Sequence, residues 1–174
     1  DEAVKELDFI LNSEKIRNDL NKEKENVQRN IRTVCQKMTD LRKKTAEVLE
    51  ERITNELKDL EMKNAQFCIK IEKKDTFNLK GWDNVEFMIS TNMGESLKPL
   101  SKTASGGEMS RVMLGLKTVI SSAESICTFV FDEIDTGISG RTAQMVSEKL
   151  KEISCNHQVI CITHLPQIAS MADS

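Results

Sequence analysis

The chain has 174 residues, with 25 Lys and Arg against 28 Asp and Glu and a formal net charge of −3. That length allows one domain of ordinary size, or a small domain carrying an extension. The near balance of charge leaves no overall electrostatic footprint for nucleic acid, and no apolar run approaches the ~18 residues that cross a bilayer.

Charge divides the chain in two. Residues 1–65 hold 14 basic and 15 acidic side chains and no Gly or Pro, so nothing punctuates this stretch and a compact fold is not expected there. Apolar residues recur at Leu20, Val27, Ile31, Val34, Met38 and Leu41 in heptad spacing, then at Leu49, Ile53, Leu57 and Leu60 by near-fours. The drift between the sets is that of a stutter in a coiled coil. Such a narrow seam on a charged helix needs a second helix, from elsewhere in the polypeptide or from another molecule. Residues 1–65 therefore read as a coiled-coil arm, and residues 66–174 as the globular part. The acidic, polar start is unlike a secretory signal, and the chain reads as cytosolic. Five cysteines, with no CxxC pair, lie mostly inside apolar runs and are expected to be buried thiols.

The period changes at Gln66. Phe67, Ile69 and Ile71 alternate with polar neighbours, as do Val85, Phe87 and Ile89, with a turn expected over Gly81 to Asn84. Asn92 to Ser105 reads as a loop. A helix is expected from about Gly107 to Ala123. A strand buried on both faces follows over Cys127 to Phe131, then a helix from about Gly140 to Ile153 and a second buried strand over Val159 to Ile162. Strand, helix, strand in that order is a βαβ crossover, which requires parallel strands. The fold class is α/β: a βαβ unit with parallel strands and a small β-hairpin, preceded by a long coiled-coil helix.

Three loops carry the chemistry. Ser105-Gly106-Gly107-Glu108 precedes a helix, where free N–H groups and the positive dipole end favour an anion. On that tetrapeptide alone the simpler reading is a flexible cap, with Ser105 or Ser110 closing the helix. Asp132-Glu133 end a buried strand, at the sheet edge where open α/β folds bind ligands. Adjacent carboxylates there suit a place near Mg²⁺ for Asp132 and orientation of a water by Glu133, or else capping at a surface turn. His164, just past the next strand, could reach a phosphate, though a lone histidine is as well a surface or capping residue.

The order of these loops resembles the second half of an ABC-type ATPase head, and within the SMC-like group it is most similar to the RecN family of bacterial DNA repair proteins. The resemblance rests on KTASGGEMSRVMLGLK (Lys102 to Lys117), TFVFDEIDTGISGR (Thr128 to Arg141) and QVICITHLPQIASMAD (Gln158 to Asp173). It implies that Ser105, Gly106, Gly107 and Glu108 are a signature loop contacting the γ-phosphate of a nucleotide held by a second head. It implies Asp132 as a Walker B residue supporting Mg²⁺, through water, and Glu133 as the general base. It further implies Asp135, Thr136 and Gly137 as a D-loop at the head-to-head interface and His164 as a switch histidine. ATP and Mg²⁺ are the implied ligands of the complete protein. Its implied partners are a second copy and DNA, in double-strand break repair and recombination, in a cytoplasmic, nucleoid-associated setting. Ala104 and Glu108 depart from the common Leu and Gln of ABC signatures, in a way similar to the RecN family.

No GxxxxGK[ST] loop occurs, so residues 66–174 read as the half of a head that lacks the Walker A part. The chain alone is expected to be inactive toward ATP and to associate with itself. Two other readings weigh against the ATPase one: a non-catalytic coiled-coil scaffold, which leaves Asp132, Glu133 and His164 without purpose, and a metal nuclease, for which one carboxylate cluster is too few.

Overall fold

The computed structural model describes residues 2–103, 106–123 and 125–173, with the side chains of residues 3–5, 7 and 11 outside the description. The elements run α1 (Glu2–Asp59), β1 (Gln66–Asn78), β2 (Gly81–Ser90), β3 (Lys98–Pro99), α2 (Gly106–Ile120), β4 (Thr128–Phe131), α3 (Gly140–Ser154), β5 (Gln158–Cys161) and α4 (Pro166–Ala169). Short 3₁₀ turns at Leu100–Lys102 and Ser121–Ala123 flank α2. The described chain forms two compact units, one of residues 2–43 and 73–83, the other of residues 44–72 and 84–173.

In the first unit, the hairpin tip is held by one polar network. The Trp82 indole N–H donates to Thr39 Oγ1 at 2.8 Å, and the Thr39 hydroxyl donates to Asp83 at 2.7 Å. Arg42 reaches the other Asp83 oxygen at 2.6 Å and the Lys80 carbonyl at 2.8 Å. Lys73 Nζ stands 3.8 Å from the centre of the Trp82 ring, in cation–π contact. The turn is tighter and earlier than expected. Residues 79–80 make it, with Asn78 Oδ1 accepting the Lys80 N–H at 2.7 Å, and Gly81 to Asn84 are already strand. Gly81 serves as the hinge into β2, at φ +89°. Along α1, Leu20, Val27, Val34 and Leu41 are all at least half exposed, whereas Ile31 and Met38 of the same heptad set are half-buried.

The second unit has two cores. One joins the last turns of α1 to β1, β2 and α2 through Ala46, Ile53, Leu57, Phe67, Ile69, Ile89, Val112, Leu116 and Val119. Ile53, Leu57 and Leu60, expected to form a seam waiting for another helix, are instead buried within this unit. Their spacing places them on one stripe, and Gly115 of α2 lets the helices close on it, its Cβ position lying 3.4–3.5 Å from Leu57, Glu56 and Leu60. Burying each such side chain contributes roughly 1.5–3 kcal/mol. The sheet order is β1-β2-β3, with Met88 opposite Pro99 and Ile89 opposite Lys98, so the expected loop also carries a short strand.

The other core packs Leu60, Leu114, Phe129, Phe131, Ile134, Val146, Leu150, Ile153 and Ile168 beneath the parallel pair β4 and β5. The crossover through α3 is as expected. The strands are not buried on both faces: Phe129 and Phe131 point into the core, while Val130, Ile160 and Ile162 are 63, 47 and 58% exposed on the other side. A run of apolar residues cannot reveal whether its second face has a cover. Two cysteines also differ from expectation. Cys127 and Cys155 are exposed, because one precedes β4 and the other ends α3. Among the described residues no helix is long and apolar enough to cross a membrane.

Candidate functional site

The parallel register pairs Thr128 with Gln158 and Phe131 with Cys161, so β4 and β5 end at the same edge. Asp132-Glu133 leave the first strand there and Thr163-His164 leave the second. The Ile162 N–H donates to the Phe131 carbonyl at 2.9 Å, which extends the pairing to the edge of the site.

Beyond Phe131 the chain makes a tight turn. The Asp132 carboxylate accepts the Glu133 N–H at 2.8 Å, and the Thr136 N–H donates to the Glu133 carbonyl at 3.1 Å. Glu133 takes φ +56°, the left-handed region that a residue with a Cβ adopts at a cost of about 1 kcal/mol. Both carboxylates are exposed, whereas Asp135 is 3% exposed. Thr136 and Gly137 return to the surface.

The start of α2 docks onto this turn. Ser110 Oγ donates to the Asp132 carbonyl at 2.7 Å, so Ser110 holds the turn and does not cap its own helix. The buried Arg111 donates to the Thr136 carbonyl at 3.1 Å and the Ile134 carbonyl at 3.5 Å, gripping the backbone on both sides of Asp135. Burial lowers the pKa of its guanidinium and the half-buried Glu108 acts against that. Gly107 is buried against the turn: a Cβ there would lie 2.8 Å from Thr136 Cβ and 3.0 Å from the Glu133 carbonyl. A Cβ on exposed Gly106 would run into the Glu133 carboxylate. The structure thus brings Gly106, Gly107, Asp132 and Glu133 together. Ser105 and Ala104 lie outside the described residues.

His164 belongs to a second cluster. Asp135 Oδ2 accepts the Thr163 hydroxyl at 2.5 Å, the His164 N–H at 2.8 Å, and lies 3.1 Å from His164 Nδ1. Burial pulls the Asp135 pKa up, but the Thr163 hydroxyl and the His164 amide and ring together hold it below the usual carboxylate range. The His164 side chain itself is 74% exposed. Beside them burial, reinforced by Asp135 and Asp132, pushes the Cys161 thiol up, which keeps it un-ionised.

Sequence reasoning missed Arg111 and Thr163. Arg111 had a signal: a cation directly before Val112 and four residues ahead of Gly115, on the helix face that packs inward. Thr163 had none, since a threonine after a strand is commonplace.

Among the described residues no group of three His, Cys, Asp or Glu is placed to hold a metal. Two adjacent exposed carboxylates at one strand end fit an ion held mainly by phosphate oxygens and water, as Mg²⁺ is, and do not fit a metal caged by protein.

A long helix running into an α/β unit, with a helix start docked on a strand-end acidic pair, has the fold of an Smc head domain. The Smc head domain with coiled coil and joint from Pyrococcus yayanosii matches it at a TM-score of 0.63 and 22% identity, over 90% of this chain and 29% of that one. The Pyrococcus furiosus Smc head bound to the C-terminal domain of ScpA matches at 0.55 and 22%, over 75% and 31%. No protein-family model matches the chain. In sequence it is 43% identical over 173 residues to the DNA repair protein RecN of Halalkalibacterium halodurans, and 40% identical over a 184-residue alignment to that of Bacillus subtilis. Each of these alignments covers 97% of this chain. The RecN protein of Treponema pallidum is 48% identical over 135 residues. The chain belongs to the RecN family of DNA repair proteins, and it spans about a third of the length of the first two relatives, 31 and 32%.

Proposed function

We propose that this chain is the signature and Walker B half of an ATPase head, built from residues 66–174 and the last turns of α1, with the rest of α1 a coiled-coil arm. In the complete protein, ATP is hydrolysed between two paired copies of the head, and pairing is coupled to engagement of DNA in double-strand break repair and recombination in the bacterial cytoplasm. The observation that carries this reading is the common edge of β4 and β5. There the parallel register brings an acidic pair and a histidine to the same edge, with the glycine start of α2 docked on the acidic turn.

Asp132 would hold Mg²⁺ through water, since its carboxylate is exposed and spends one oxygen on the Glu133 N–H. Bound Mg²⁺ offsets charge on the phosphates. Glu133 acts as general base, orienting a water and taking its proton. Its left-handed backbone aims it toward Gly106, from which a rotation of its side-chain torsions suffices to release the carboxylate. Ser105, Gly106, Gly107 and Glu108 present the α2 start to a γ-phosphate held by the second head, where backbone N–H groups and the helix dipole favour charge. Thr136 and Gly137 are the exposed part of the D-loop and face the partner head, while the Asp135 side chain anchors that loop from within. His164 contacts the γ-phosphate of its own head's nucleotide.

In the complete protein, Glu133→Gln should abolish steady-state hydrolysis while leaving ATP binding and head pairing intact, because a base is lost and no phosphate ligand is. Turnover near the parental rate in that variant would remove the assignment.

A further inference from the structure

We infer that Asp135 is the positioning residue for His164. It fixes the place, the rotation and the tautomer of the imidazole, and so decides which ring nitrogen is offered to solvent.

Burying a carboxylate is costly unless its lone pairs are taken up. Asp135 is 3% exposed, and the groups that approach its Oδ2 come from the second and third residues after β5: the Thr163 hydroxyl and the His164 amide donate to it, and His164 Nδ1 lies 3.1 Å away as an ion-pair contact. The amide bond fixes where His164 begins. The ring contact fixes how it turns. A carboxylate oxygen offers only lone pairs, so at 3.1 Å it disfavours a bare Nδ1 and favours the tautomer with a hydrogen there, which in the neutral ring leaves Nε2 bare. The ring is otherwise free to choose, since its side chain is 74% exposed. Asp135 is itself immobilised, because Arg111 holds the carbonyls of Ile134 and Thr136 on either side of it. The acidic residue that the family resemblance implies at a head-to-head interface thus works from behind the histidine, in the way carboxylates orient metal-bound imidazoles.

The functional consequence rests on the reading of His164 given above, but the structural claim does not, and the two are tested separately. The chain contains only two histidines, His157 and His164. Specific ¹⁵N labelling of both, with long-range ¹H–¹⁵N correlation spectra taken where the rings are neutral, reads each tautomer directly. His157, whose Nδ1 lies 2.8 Å from the Ile126 carbonyl, is the internal control. The expected result is an Nδ1–H tautomer at His164 in the parent. A shift toward Nε2–H is expected in Asp135→Asn, where a neutral amide is the weaker acceptor, and a larger one in Asp135→Ala. Thr163→Val removes a donor from the same oxygen but nothing from the ring, so it should keep the parental tautomer and reports mere loosening. An Nε2–H tautomer in the parent would overturn the inference, as would an unchanged tautomer in folded Asp135→Asn. In the complete protein, Asp135→Asn should lower kcat about 10- to 100-fold with KM for ATP nearly unchanged. A parental kcat with the tautomer altered would leave Asp135 positioning a histidine that does not serve hydrolysis.

Discussion

At the scale of single residues, the two glycines at the start of α2 serve different ends. Gly107 is a packing glycine: a Cβ there would lie 2.8 Å from Thr136 Cβ and 2.9 Å from a backbone oxygen, neither of which can yield. Gly106 would meet only the tip of the exposed Glu133 side chain, which can swing away. Gly107→Ala is therefore expected to cost about 1–3 kcal/mol of stability, and Gly106→Ala no more than about 0.5 kcal/mol. Urea denaturation of both variants checks the contrast, and equal losses would mean that α2 is not docked on the turn. The glycine pair was legible in the sequence, but the division of labour between them was not, because it depends on a loop 26 to 29 residues further on. The left-handed Glu133 was equally hidden. Propensity assigns such a conformation to glycine or asparagine, and only the surrounding turn forces it on a glutamate.

Among the elements, α2, β4, α3 and β5 were legible in order and nearly in extent, since apolar period 3.6 and unbroken apolar runs separate cleanly there. The hairpin was read too short. Its outer half, Lys73 to Asn78, is exposed and polar but for Phe77, and no alternation marks it as strand. The end of α1 was misassigned for a related reason: a stripe on a charged helix looks the same whether a second helix or the protein's own core covers it. One contact between elements settles how that end is held. Lys149 of α3 lies 2.7 Å from Glu56 and 3.6 Å from Asp59 of α1, with its side chain only 15% exposed. Lys149→Ala leaves the Glu56 carboxylate, itself 21% exposed, without its cation. The expected loss is about 1–2 kcal/mol, more than an exposed ion pair contributes. Adding Glu56→Gln should recover part of it, because the stranded charge is then gone. Thermal unfolding of the two variants measures this, and a single variant as stable as the parent would reduce the pair to a solvated contact.

For the molecule as a whole, two apolar surfaces have no cover within the described residues. One is the outer face of β4 and β5, with Val130, Ile160 and Ile162, and the other is the row Leu20, Val27, Val34 and Leu41 of α1. Burial of apolar area contributes about 25 cal/mol per Å², and a two-stranded parallel sheet with a bare face is rarely stable on its own. The chain is therefore expected to associate with itself at tens of micromolar, and Val130→Lys with Ile160→Asp should weaken that association. Light scattering that shows a monodisperse parental monomer would contradict this.

The central claim is that catalysis is divided between two heads, with Glu133 acting on one side of the shared nucleotide and Ser105 on the other. The most direct test is to mix two variants of the complete protein, Glu133→Gln and Ser105→Arg, each inactive alone. In a mixed pair one site receives both lesions and the other receives neither, so hydrolysis should reappear on mixing and rise with the fraction of mixed pairs. Mixtures as inactive as the separate variants, although mixed pairs form, would show that the two residues do not act on one nucleotide from opposite heads.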